Sequence, residues 1–114
     1  MIDDFEPAPQ QDIDTRRSGG RPLFSLGQCV ATPAALAVLH AANTLAATLL
    51  SRHVQGEWDQ LDAHDRAMNE AALRNGERIF SVYTVASQRL YVITEAVSDN
   101  GARASTCILL PSEY

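Results

Sequence analysis

The sequence predicts an α+β domain over residues 22–114, with two to three helices followed by an antiparallel sheet of three to four strands. Three observations carry this. Apolar residues recur at spacings of three and four from Pro33 to Leu73, the period of a helix with one buried face. Helix-start signals stand at Thr32-Pro33 and at Asp62. From Arg78 onward the period drops to two, in segments rich in β-branched and aromatic residues.

The first element is a short strand. Phe24, Leu26, Gln28 and Val30 alternate onto one side, and Gly27 marks a bulge in what reads as an edge strand. Thr32 can then cap free N–H groups, and Pro33 suits the first helical position because it lacks an N–H. The first helix runs from Pro33 to about Ala42, with Ala35, Leu36, Leu39 and Ala42 inward. Asn43-Thr44 interrupts it, and either residue can cap a second helix over about 45–54, with Leu45, Leu49, Leu50 and His53 as its inward stripe.

A third helix is expected over 62–75. Asp62 is its N-cap, Asp65 lies in its first turn, and Met68, Ala71, Ala72 and Leu73 form its apolar face. Asn75-Gly76 stops it, since glycine enters the left-handed region freely. Strands follow at 79–85 and 89–95, joined through Ala86-Ser87-Gln88. A turn at Ser98-Asp99-Asn100-Gly101 leads to a last strand, Ser105 to Leu110, ending at Pro111. Residues 1–21 hold two prolines, two glycines and no periodic pattern. They read as a flexible tail, acidic first and then basic at Arg16, Arg17 and Arg21.

Composition narrows the function. All nine basic residues are arginine, and the formal charge is −5. Nine acids against six arginines leave residues 22–114 net acidic, which disfavours direct nucleic-acid binding driven by counterion release. The weak candidate for such binding is the tail, through Arg16, Arg17 and Arg21. The stretch Ala34–Leu50 contains His40, Asn43, Thr44 and Thr48 and is too polar for a membrane span. The acidic start lacks the basic and apolar regions of a secretory signal, and Cys29 and Cys107 make no disulfide framework. A cytoplasmic protein with reduced thiols and no membrane contact is expected.

No catalytic set is named by spacing. His40, His53 and His64 lie far apart, and neither cysteine has a ligand partner at short spacing, so no zinc pattern is present. No glycine-rich phosphate loop occurs. No catalytic residue, metal or cofactor is therefore assigned. The densest chemistry is Glu57-Trp58-Asp59-Gln60-Leu61-Asp62-Ala63-His64-Asp65. These carboxylates can cap a helix around an anchoring Trp58 and Leu61. They can also meet a basic groove on a partner, or, with His53 and His64, serve metal or acid–base chemistry. Glu57, Trp58, Asp59, Asp62 and Asp65 are the candidate partner-binding residues. Tyr114 joins them, at the end of the segment Leu109–Tyr114, because the edges of a small sheet are recognition surfaces. The alanine-rich face of the first two helices is a further candidate, for a partner or for a second copy in a homodimer.

The segments FSLGQCVATPAAL, SRHVQGEWDQLDAHDRAMNEAAL, NGERIFSVYTV, LYVITEA and ILLPSEY resemble a family of small proteins encoded on bacterial plasmids and integrative elements. Some of these are labelled plasmid-related proteins or a restriction-system subunit. The resemblance covers roughly residues 24–114, through Gly27, Gln28, Thr32, Pro33, Arg52, His53, Gly56, Trp58, Asn69, Glu70, Thr94, Glu95, Leu110 and Pro111. The family's aspartate at position 57 is Glu57 here, and its link across 97–103 is shorter. It implies a mobile-element setting and carries no established catalytic residues to transfer. In that setting the expected function is a non-enzymatic protein that docks on a larger, nucleic-acid-processing defence complex, as anti-CRISPR or anti-restriction proteins do. The alternatives are a small enzyme centred on residues 53–65 and a DNA-binding plasmid-maintenance accessory.

Overall fold

A computed structural model describes residues 21–114; Arg16, Arg17 and the rest of the proposed tail up to residue 20 lie outside the described residues. The architecture is α+β. Strand β1 (Gln28–Ala31) leads into helices α1 (Pro33–Ala41), α2 (Ala46–Val54) and α3 (Ala63–Asn75). Strands β2 (Ile79–Val85), β3 (Gln88–Thr94) and β4 (Ser105–Leu109) follow, and a 3-10 turn spans Pro111–Glu113.

The caps read from sequence form at α1 and α3. The Thr32 hydroxyl accepts from Ala35 N at 3.1 Å, and Asp62 Oδ1 accepts from Asp65 N at 2.8 Å. Gly76 ends α3 in the left-handed region at φ 79°. The junction between α1 and α2 differs from expectation. Asn43 takes φ 54°, its N–H bonds His40 O, and Thr44 N bonds Leu39 O. These two bonds around a left-handed residue close the C-terminus of α1 in a Schellman motif. Asn43 therefore finishes one helix and does not start the next; the N-cap of α2 is Leu45, with no side-chain cap. That position turns Leu45 outward, 69% exposed, against its predicted inward role. The two helices are bent by 104°. Among the described residues, no single helix is long and apolar enough to cross a membrane.

The sheet order is β1-β4-β3-β2. The meander β2-β3-β4 is antiparallel, but β1 joins β4 in parallel, Gln28 opposite Ser105 and Ala31 opposite Ile108. The sheet is thus mixed, a correction to the antiparallel sheet expected. Gly27 precedes the strand and does not bulge it. Its φ is 65°, and a Cβ there would lie 2.3 Å from Arg103 O, so only glycine admits this approach. The β2–β3 link is shorter than read: Val85 pairs with Gln88, and Ala86 and Ser87 both have positive φ, as a two-residue type I′ hairpin requires.

One face of the sheet receives α1 and α2. Its core combines Ala35, Leu39, Leu49 and Leu50 with Tyr83, Val85, Leu90, Val92 and Ile108. A second cluster, Trp58, Leu61, Ala72 and Ile79, packs α3 and the loop before it against β2. Met68, predicted inward, is 56% exposed, and Asn69 is buried in its place.

Candidate functional site

The segment 57–65 is built around its apolar residues. Trp58 is buried and donates from Nε1 to His53 O at 3.2 Å. Of the two roles open to it, core anchor and partner contact, burial assigns the first. Leu61 is buried beside it. The carboxylates stay outside with local tasks. Glu57 Oε1 lies 3.3 Å from Arg52 Nε, and Asp59 Oδ1 lies 3.9 Å from another Arg52 nitrogen. The Arg52 guanidinium sits 4.6 Å above the Tyr83 ring, and the Tyr83 hydroxyl donates to Glu57 O at 2.9 Å. Asp62 caps α3, and Asp65 occupies its first turn. The result is an exposed acidic ridge clamped from beneath by Trp58, Leu61 and Tyr83.

His53 does not join this ridge. It is fully buried, with Nδ1 2.5 Å from Ser81 Oγ and Nε2 2.8 Å from Thr94 Oγ1. The chain of bonds continues from Thr94 to Thr106 at 2.6 Å and from Thr106 to Leu26 O at 2.7 Å. Burial, and secondarily the charge of Arg103, lower the imidazole pKa to about 3. Both ring nitrogens are thus spent on holding α2 to the sheet. His64 is exposed at the start of α3. The set His53, Glu57, Asp59 and His64 is therefore not brought together, and among the described residues no group of three or more His, Cys, Asp or Glu side chains is placed to share a metal.

The sheet face turned away from α1 and α2 carries the other candidate, Tyr114. Strand alternation places Phe80 and Val82 of β2, Tyr91 and Ile93 of β3, and Cys107 and Leu109 of β4 on this face. The Phe80 and Tyr91 rings meet edge to face at 4.7 Å, and Tyr91 meets Tyr114 likewise at 5.8 Å. The Arg78 guanidinium lies 5.4 Å from the Tyr114 ring centroid and donates to the Tyr114 hydroxyl. The C-terminal turn that delivers Tyr114 is tied down by Glu113, whose Oε1 accepts from Thr32 Oγ1 at 2.7 Å and Leu110 N at 2.9 Å. The Leu110 and Thr32 bonds hold the Glu113 carboxyl below its ordinary range. Burial, then the Glu113 and Glu95 carboxylates, push the Cys107 thiol up. Phe80, Tyr91 and Arg78 were not singled out from sequence. Period-two alternation was the available signal, because it sets them opposite the core residues Tyr83 and Leu90.

The exposed sides of α1 and α2 form a shallow apolar groove lined by Pro33, Leu36, Ala37, His40 and Leu45. Arg21 is exposed at the start of the described residues. No protein-family model, no curated protein and no solved structure matches this chain.

Proposed function

We propose that this chain is a non-enzymatic cytoplasmic binding protein, which docks on a larger protein through the sheet face carrying Phe80, Tyr91 and Tyr114. The observation that carries the reading is the state of Tyr114. The residue is 62% exposed, yet its ring is fixed between Tyr91 and Arg78. Tyrosine and arginine are the residues that most often dominate binding energy at interfaces. A ring already held in place loses little rotamer freedom on docking, which favours affinity. The acidic ridge Glu57, Asp59, Asp62 and Asp65 supports the same reading as a steering surface, because exposed charge of one sign accelerates encounter with a basic partner.

The resemblance to mobile-element proteins supplies the first partners to try: nucleic-acid-processing defence complexes, inhibited by occupancy of a surface. The test is binding of the purified full chain to purified CRISPR effector and restriction complexes, with nuclease activity followed in parallel. A stoichiometric complex with one of them, weakened by Val82→Arg and accompanied by loss of nuclease activity, is expected. Failure to bind any of them overturns the defence-complex assignment. Binding that Val82→Arg, Tyr91→Ala and Tyr114→Ala all leave intact overturns the choice of face.

A further inference from the structure

We infer that the segment received by this face has an apolar centre and carboxylates at both ends, spaced by about 20 Å, an inference that rests on the docking face proposed above. The spacing comes from the strand register. Arg78 precedes β2 at the level where β3 ends, because Ile79 pairs with Thr94; Arg89 stands opposite Thr84 near the hairpin. Six residues of strand separate the two levels, about 20 Å at 3.4 Å per residue. Both arginines belong to the alternation set of Phe80 and Tyr91, so both project from the same face. Both are exposed, and among the described residues neither has a carboxylate within ion-pair distance.

Between them lie Phe80, Val82 and Tyr91, half-buried. The strip thus reads cation, apolar and aromatic centre, cation. A guanidinium that already rests on an aromatic ring keeps its outward N–H groups free to fork onto a carboxylate. Of the nearby acids, Glu113 is tied down on the β4 side by Thr32 Oγ1 and Leu110 N, whereas Glu95 continues β3 and, by the Ile79–Thr94 register, comes opposite Arg78. Arg89 has Thr84 opposite it and no acid in its register, so the hairpin end is the stronger anchor for a partner's carboxylate, since like charges placed together are penalised. The occupant is a protein segment and not a nucleic-acid strand. Tyr91 meets both Phe80 and Tyr114 edge to face, at 72° and 80°, so neighbouring rings of the row present no parallel platform for successive bases.

Selection of a random sixteen-residue peptide display library on the immobilised full chain tests this, followed by titration of the winning synthetic peptide and of a twelve-residue oligothymidylate. The expected result is enrichment of peptides with Asp or Glu on both sides of an apolar stretch. Their affinity falls at least tenfold in the Arg78→Glu/Arg89→Glu chain and falls with added salt, and the oligonucleotide does not compete. The Arg89 side chain makes no hydrogen bond or ion pair among the described residues, so Arg89→Glu alone keeps the test valid, with an expected loss of at least threefold. Enriched peptides that lack carboxylates, or that bind the double variant as well as the parent chain, overturn the partner chemistry. If Val82→Arg still abolishes that binding, the docking face stands. Peptide binding indifferent to Val82→Arg as well overturns both. Competition by the oligonucleotide overturns the choice of a protein segment.

Discussion

The side-chain amide of Asn69 bonds both backbone groups of Phe80: Oδ1 accepts from Phe80 N at 3.1 Å, and Nδ2 donates to Phe80 O at 2.7 Å. β2 is the last strand of the sheet, so these groups face away from β3 and have no ladder partner. A residue of α3 therefore stands where a fifth strand would, which is one way to protect a sheet edge. Asn69→Leu removes both partners and leaves two half-buried backbone groups unpaired. A loss of about 2–4 kcal/mol in unfolding free energy is expected, from about 1–2 kcal/mol for each orphaned group, the lower part of the range because the site is half-buried. Asn69→Asp retains the acceptor and loses less. Urea unfolding of the two variants measures the difference.

The His53 network gives stability a defined pH dependence. The imidazole titrates near 6.5 when unfolded and at about 3 when folded. Between these values the unfolded chain binds a proton that the folded chain refuses. Stability is therefore whole above about pH 6.5 and declines as pH falls toward 3, with a limiting slope of about 1.4 kcal/mol per pH unit from this group. His53→Gln removes the titrating group and keeps hydrogen-bonding capacity toward Ser81 and Thr94. The difference in unfolding free energy between parent and variant should shrink as pH falls from 6.5 to 4. A difference constant across that range would contradict the buried neutral histidine.

The β2–β3 hairpin is closed by residues poorly suited to it. Ala86 and Ser87 hold φ of 51° and 69°, where an L-residue with a Cβ costs roughly 1–2 kcal/mol. Ala86→Asn with Ser87→Gly supplies the pair favoured by a type I′ turn. The double variant should gain about 1 kcal/mol, read as a raised midpoint in thermal or urea unfolding. A lowered midpoint would count against this turn geometry.

The helices were legible because their ends are written in residue chemistry: Thr32-Pro33, Asp62 and Gly76 each satisfy or relieve specific backbone groups within one turn. The strands were legible from alternation, which fixes the face of a residue but not the neighbour of a strand. The parallel pairing of β1 with β4 joins Gln28 to Ser105 across three helices and two strands, and no local pattern encodes it. Helical spacing places Leu45 and Met68 inward, yet both are exposed. The structure instead buries Asn69 at Phe80, while His53, inward as its spacing predicts, finds partners in Ser81 and Thr94, on strands distant in sequence. The acidic segment was visible at once, whereas the row of Phe80, Tyr91, Tyr114 and Arg78 required the strand register.

Arg103 illustrates the same limit and gives the last prediction. It follows the Ser98–Gly101 turn and no motif singles it out, yet it is only 6% exposed. Its guanidinium donates to Glu77 O at 2.7 Å, Glu95 O at 3.0 Å and Ala72 O at 3.2 Å, and it lies 5.6 Å from the Phe24 ring centroid. Three carbonyls from the end of α3, the α3–β2 link and the end of β3 thus converge on one cation. No carboxylate is among them, so the fork geometry matters as much as the charge. Arg103→Met keeps much of the apolar stem and leaves the carbonyls to water or to nothing, a loss of about 2–4 kcal/mol. Arg103→Lys restores the charge but reaches fewer acceptors from one nitrogen, and should recover less than half of that loss. If lysine restored stability in full, charge alone would explain the site. If methionine cost nothing, the three bonds would contribute no net stability. Unfolding free energies of the two variants against the parent chain decide among these outcomes.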